Sequence, residues 1–323
     1  MRGPHLIIVP SLQKAESLLE DLHFFSQETN DAFVLYPPWE TLPYDEIPPH
    51  PEIIRDRVRC LFSLLHEEEV MIISPVQALM QKVLPPTDLK GSTLSLQVGE
   101  EIVREGLLRY LQDNGYTSAR VVEERGDYSL RGAIIDIFSP SHEEPLRLEF
   151  DGDRLASLRR FEPENQRSLP GSELERAILL PARDLSKNLF EQPLGSFFDY
   201  LKGEGVVFIE EMEEVGKEAK SFSRSIDEHY EKALTKKRPV LPPGLLYFKD
   251  EELFPSMKRF KNVFLQEGPL APLPCEDVFA FETETNEDLR REMNALFATG
   301  KGSAEASPFS ILLRQVLRWR ERG

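Results

Sequence analysis

Short apolar runs alternate with helical-period segments over the first third of the chain. His5 to Val9, Phe33 to Tyr36 and Met71 to Pro75 read as buried strands. Between them, Leu18, Leu19 and Leu22 fall on one face of a helix that Ser11 is placed to cap, because its hydroxyl can accept a free first-turn N–H. A second helix is predicted from about Glu52 to Leu65, with Ile53, Val58, Leu61 and Leu65 turned inward, and a short one from Val76 to Lys82. Strands that are apolar along their whole length, separated by helices, imply a parallel sheet covered on both faces. The proline-rich segment Pro37 to Pro51 lacks backbone donors at its prolines and is expected to be ordered but irregular.

The pattern changes after Pro85-Pro86. Leu94 to Val98, Val121 to Val122, Ala133 to Phe138 and Leu146 to Phe150 read as short strands, with one helix from Gly106 to Asn114. Leu146-Arg-Leu-Glu-Phe150 alternates with period two, so Leu146, Leu148 and Phe150 point inward while Arg147 and Glu149 face solvent. This middle part is expected to be a separate α+β domain ending near Pro163 to Ser172, where Pro170-Gly171 marks a loop. The α/β pattern returns with strands at Leu179-Leu180, Val206 to Ile209, Val263 to Leu265 and Val278 to Phe281. A long charged helix follows Glu213, Pro239 to Gly244 is a loop, and a terminal helix from Ser307 to Arg322 carries Leu312, Leu313, Val316 and Trp319 on one face. The helix stops at Gly323 with no closing strand, which reads as a piece of a longer protein.

Composition narrows the function classes. The formal charge of −17 repels a phosphate backbone over most of the surface, so DNA is a poor first partner and a basic protein surface a better one. The two cysteines, Cys60 and Cys275, are far apart, which suits a reducing compartment. No apolar run reaches the ~20 residues needed to cross a bilayer, and the start has no secretory signal, so no membrane partner and a cytoplasmic address are expected.

Chemistry-bearing motifs are absent. A phosphate cradle needs glycines that let successive backbone N–H groups converge, but Gly216-Lys217 has Glu211 at the earlier glycine's place and Gly300-Lys301 has Ala295. The six histidines are scattered, so no metal ligand set is expected, and no cofactor. Glu210 and Glu211 end an apolar strand where a nucleotidase would hold magnesium. Without a phosphate loop, the expected role is to cap or solvate the next helix. The chain is therefore expected not to be an enzyme. Between Ala119 and Pro163 every basic residue is an arginine (Arg120, Arg125, Arg131, Arg147, Arg154, Arg159, Arg160), interleaved with acids. Such a mixture suits a protein partner better than a phosphate backbone, although composition alone puts the plainer reading, ordinary surface ion pairs, somewhat ahead. Trp39, among prolines, is expected to plug a hydrophobic gap rather than to recognise a ligand.

Trp39-Glu-Thr-Leu-Pro-Tyr-Asp45, His50-Pro-Glu52 and Arg55-Asp-Arg57 resemble a stretch of the bacterial transcription-repair coupling factors (Mfd). Glu124 to Pro140, with Leu130-Arg131-Gly132, and Arg147-Leu-Glu-Phe150 resemble the domain those proteins share with UvrB for binding UvrA. The resemblance implies a degenerate, helicase-like parallel-sheet lobe with an inserted α+β UvrA-binding domain. Residues 1–86 would be domain 1a, 87–172 the inserted domain 2, and 173–323 domain 1b. It also implies a non-catalytic adaptor that recruits UvrA to lesion-stalled RNA polymerase in nucleotide excision repair. RNA polymerase and DNA would be engaged by other domains of the full-length, ATP-dependent translocase. The alternative is a nucleotide-dependent, DNA-binding helicase lobe like that of UvrB. The family's UvrA contacts fall on Arg131, Arg147, Glu149 and Phe150, and on Asp151, where many relatives have a second aromatic. Ser129 stands where UvrB has a further arginine.

Overall fold

The computed structural model describes residues 3–267 apart from 27–32, 43, 46, 67–69, 186–192 and 202–204, and beyond them only 277–279 and 291. The first part of the lobe runs β1 (His5–Val9), α1 (Leu12–Phe25), β2 (Phe33–Leu35), α2 (Pro51–His66), β3 (Met71–Pro75) and α3 (Val76–Met80). The middle part runs α4 (Pro86–Gly91), β4 (Leu94–Gln97), α5 (Arg104–Asp113), β5 (Thr117–Ser118), β6 (Asp127–Arg131), β7 (Ile134–Ile137), β8 (Leu146–Asp151), β9 (Arg154–Phe161), β10 (Ser168–Glu173) and β11 (Arg176–Leu179). The chain then returns through β12 (Val206–Glu210), α6 (Met212–Thr235), α7 (Pro243–Leu246), α8 (Asp250–Met257) and β13 (Lys261–Leu265).

The lobe sheet is parallel throughout, in the order β13-β12-β1-β3-β2. Its strands are apolar along their length because both faces are covered. Leu6, Ile8, Ile72, Val207 and Ile209 pack under α2, α3, α6 and α8, while Ile7, Val9 and Ile73 pack under α1. Ser11 caps α1, its hydroxyl accepting from the Lys14 N–H, as its position predicts.

The proline-rich segment is held from beneath rather than by a ladder. Trp39 is 6% exposed and its indole N–H donates to Asp184 at 2.8 Å. Arg57 of α2 is fully buried, donates to the same carboxylate at 2.6 Å and to the Pro37 carbonyl at 2.8 Å, and stacks 4.5 Å from the Tyr36 ring centroid. A buried guanidinium persists only when paired and hydrogen-bonded, and Asp184 supplies the pair across the insertion. The packing role expected for Trp39 holds.

The inserted part has a six-stranded sheet, β10-β9-β8-β7-β6-β5, and a small pair, β11-β4. Leu107 and Leu111 of α5 pack on one face against Ile135, Ile137, Leu146, Leu148, Phe150 and Leu158. Two details differ from the sequence reading. Val121 and Val122 are not a strand; β5 is Thr117–Ser118, and Val122 instead joins Phe138 and Phe161 in a small apolar cluster. Pro170-Gly171 is not the end of the insert but a kink inside β10, where Gly171 takes φ +70° and the register with β9 shifts. The insert's strands therefore continue past residue 172, to Leu179, where β11 pairs with β4.

In the second compact unit, residues 269–323, Asp277 to Phe279 carry no regular structure, and the rest of the strand expected over Val278 to Phe281 lies outside the described residues. The expected terminal helix, Ser307 to Arg322, lies outside the described residues.

Candidate functional site: the outer face of the inserted sheet

Period-two alternation sends Tyr128, Ile135, Ile137, Leu146, Leu148 and Leu158 toward α5 and puts their strand neighbours on the opposite, outer face. Cross-strand register arranges that face in rows. Ser129, Asp136, Arg147 and Arg159 form one row across β6, β7, β8 and β9, and Arg131, Ile134, Glu149 and Ser157 form the next. Five charged groups thus lie within two adjacent rows, three guanidiniums against two carboxylates.

The carboxylates organise the cluster. Asp136 is completely buried and takes Arg147 bidentately, Nε at 2.7 Å and Nη2 at 2.9 Å. It also accepts from Nη2 of Arg131. Glu149 pairs with Arg159 and accepts from the Ser157 hydroxyl at 2.8 Å. The expectation for Arg147 needs correction. It does leave the core face, but only 14% of its side chain is exposed. The loop after β9 closes over it: Nη1 donates to the Gln166 carbonyl at 3.1 Å, and the guanidinium lies 4.5 Å from the Phe161 ring centroid. The hydrogen bond it donates to Asp136 is the largest influence on its pKa and holds it above the ordinary arginine value. Arg131 keeps 46% of its side chain exposed.

Phe150 is also corrected as a contact residue. It is 6% exposed and packed in the insert's core, which removes it from the surface it was expected to supply. Glu149 is partly exposed but already engaged by its own chain. Asp151 is exposed at the end of β8, opposite Arg154. Asp136 and Gln166 were missed, and Arg159 was named only as one of the seven arginines of the patch. The alternation Ile134-Ile-Asp-Ile137 puts Asp136 on the outer face, but only the register reveals that it faces Arg147.

The UvrB interaction domain family matches residues 94–185, which spans this sheet and its covering helix. The transcription-repair-coupling factor of Escherichia coli is 30% identical over 308 residues, covering 82% of this chain and 26% of that protein. That of Haemophilus influenzae is 28% identical over 302 residues, 80% of this chain and 26% of its own length, and that of Myxococcus xanthus 33% identical over 190 residues, 57% and 16%. The chain belongs to the N-terminal, UvrB-like module of the transcription-repair coupling factors. It spans about a quarter of the length of the first two relatives.

In this coupling-factor module the strand end that would carry magnesium in a nucleotidase is occupied by its own chain. Glu210 pairs with Lys14 at 3.1 Å. Glu211 sits at the start of α6, where its carbonyl accepts the Val215 N–H, and its side chain accepts the Glu267 N–H at 2.6 Å. Both groups therefore serve the lobe's own structure, with capping done by the backbone rather than by the side chain. Among the described residues no group of three or more His, Cys, Asp or Glu could hold a metal ion, and no helix is long and apolar enough to cross a membrane.

Proposed function

We propose that the module is a non-catalytic adaptor that recruits UvrA, through the outer face of the inserted sheet, to RNA polymerase stalled at a lesion. The observation that carries this reading is Arg131: a half-exposed guanidinium in a cluster where arginines outnumber carboxylates. Arginine's planar fork suits a carboxylate-bearing protein partner, and anchors of this kind dominate interface energetics. RNA polymerase and DNA belong to other parts of the full-length coupling factor, and nucleotide excision repair in the cytoplasm is its setting. The module itself neither binds nor hydrolyses ATP, since neither lysine-glycine site carries a phosphate loop and Glu210 and Glu211 are already engaged.

Capture of purified UvrA by the 323-residue chain tests the reading. Wild type retains UvrA, and Arg131→Glu releases it, at a cost of about 2 kcal/mol or more. Equal retention by the variant rules out this face. Labelled ATP is expected to give no saturable binding to the chain; saturable binding supports a UvrB-like nucleotide-dependent lobe instead.

A further inference from the structure

We propose that Asp136 is a positioning residue of this surface: its buried carboxylate fixes Arg147 in place and orients Arg131, so that Arg131 presents its remaining donors to a carboxylate of the partner. The inference rests on the UvrA-recruitment reading and assigns different tasks to residues that look equivalent in the sequence.

Donor accounting separates the two arginines. A guanidinium has five N–H bonds in a fixed plane. Arg147 directs Nε and Nη2 at Asp136 and Nη1 at the Gln166 carbonyl, with one face of the group on Phe161. Every nitrogen is engaged, and little of the side chain reaches solvent. Arg131 makes its described contacts through Nη2 alone, to Asp136 and, at 3.4 Å, to Gln166 Oε1. Its Nε and Nη1 remain to offer a partner.

Charge points the same way. One buried carboxylate shared by two guanidiniums leaves one positive charge, on the group that is exposed. A partner carboxylate meeting that charge at Nε or Nη1 completes an alternating arrangement, its charge-assisted hydrogen bond aimed by the plane in which Asp136 holds the guanidinium. Asp136 has no exposure and is gripped on its other side by Arg147, so it provides a fixed reference for that plane. Holding a side chain before binding spares the entropy that a free arginine loses on contact.

The test is calorimetric titration of UvrA into the full chain carrying Arg131→Ala, Asp136→Asn, both changes together, or Arg131→Lys. Arg131→Ala is expected to weaken binding about tenfold or more. Asp136→Asn should weaken it severalfold in the wild-type background but add nothing when Arg131 is already alanine, because the residue acts through Arg131. A purely structural role predicts equal losses in both backgrounds, and that result overturns the proposal. Arg131→Lys leaves the buried groups untouched and keeps the charge but lacks a fork to serve Asp136 and the partner together. It should lose as much as alanine, and wild-type affinity for it overturns the proposal even if Asp136→Asn misfolds. No binding by the wild-type chain sinks the recruitment reading itself, whereas a normal wild type with additive variants sinks only the positioning role.

Discussion

Arg147 and Arg131 sit in adjacent rows of one sheet and share one carboxylate, yet their substitutions should fail in different ways. Arg147→Glu places a second carboxylate beside fully buried Asp136 and removes the cation that neutralises it. Breaking a buried pair by deleting one partner is far costlier than the pair is worth, so a loss of about 3 kcal/mol of folding stability is expected in denaturant titration. Arg131→Glu also brings a carboxylate near Asp136, but at a half-exposed position with Arg147 still neutralising Asp136 it should lower that midpoint less than Arg147→Glu does, while abolishing capture of UvrA. A UvrA defect in Arg147→Glu is therefore interpretable only alongside its stability, and a wild-type denaturant midpoint for it would refute the buried-pair account. Arg57→Ala belongs to the same class. Among the described residues it leaves the buried Asp184 carboxylate with the Trp39 indole N–H as its remaining donor, and should also cost about 3 kcal/mol or more.

At the scale of elements, the turn between β7 and β8 contains a proton-linked contact. His142 is half-buried with Nε2 3.2 Å from the Ile178 carbonyl of β11. Burial is the main influence on its pKa and, helped by Arg160 and Arg59, lowers it below 6.5 against the opposing pull of the Ile178 carbonyl and Glu144. The folded chain then takes up this proton less readily than the unfolded one. Its contribution is complete above pH 6.5 and is lost as pH falls through the depressed value. Urea midpoints measured between about pH 7.5 and pH 5.5 should fall, and His142→Gln should flatten that slope; an unchanged slope removes His142 as its source. Neighbouring Glu143 acts in a lower window. Burial pushes its pKa up, but Arg59, Arg125 and Arg55 outweigh it and leave it below 4.5, so its share disappears only in more acid solution. These elements also show what a sequence can and cannot disclose. Period two in Leu146 to Phe150 assigns each side chain to the correct face, and the apolar runs of β1, β3 and β12 announce a doubly covered sheet, because both patterns are local. What covers Arg147 is not local: Asp136 reaches it through strand register and Gln166 through a loop after the next strand. Pro170-Gly171 misleads for the opposite reason, since the same dipeptide serves a linker or a kinked edge strand, and only pairing with β9 decides.

On the scale of the molecule, two hydrophobic cores are distinct, one in the lobe around Leu6, Ile72 and Val207 and one in the insert around Leu111, Ile135 and Leu148. Yet residues up to Gly268 behave as one compact unit. Polar groups contribute to that join, beside Leu89 of α4, which packs in the lobe core. Arg125 of the insert is 8% exposed in its side chain, donates to Glu52 of α2 at 2.6 Å and to Glu143 at 2.9 Å, and stacks 4.6 Å from the Phe138 ring centroid. Glu143 in turn takes Arg59 of α2, and Arg55 approaches it at 3.7 Å while pairing with Glu52. Single exposed ion pairs contribute little, but this network is tied to a nearly buried arginine that faces both parts at once. Calorimetry should therefore show lobe and insert melting in one transition for wild type and in two for Arg125→Ala, the insert first because its core is the smaller. A single transition in the variant, merely shifted, would mean that the covalent crossings and the remaining contacts suffice to join them. For a recruiting surface the distinction matters: a face rigidly joined to the lobe presents Arg131 in one orientation to whatever the rest of the coupling factor brings near it.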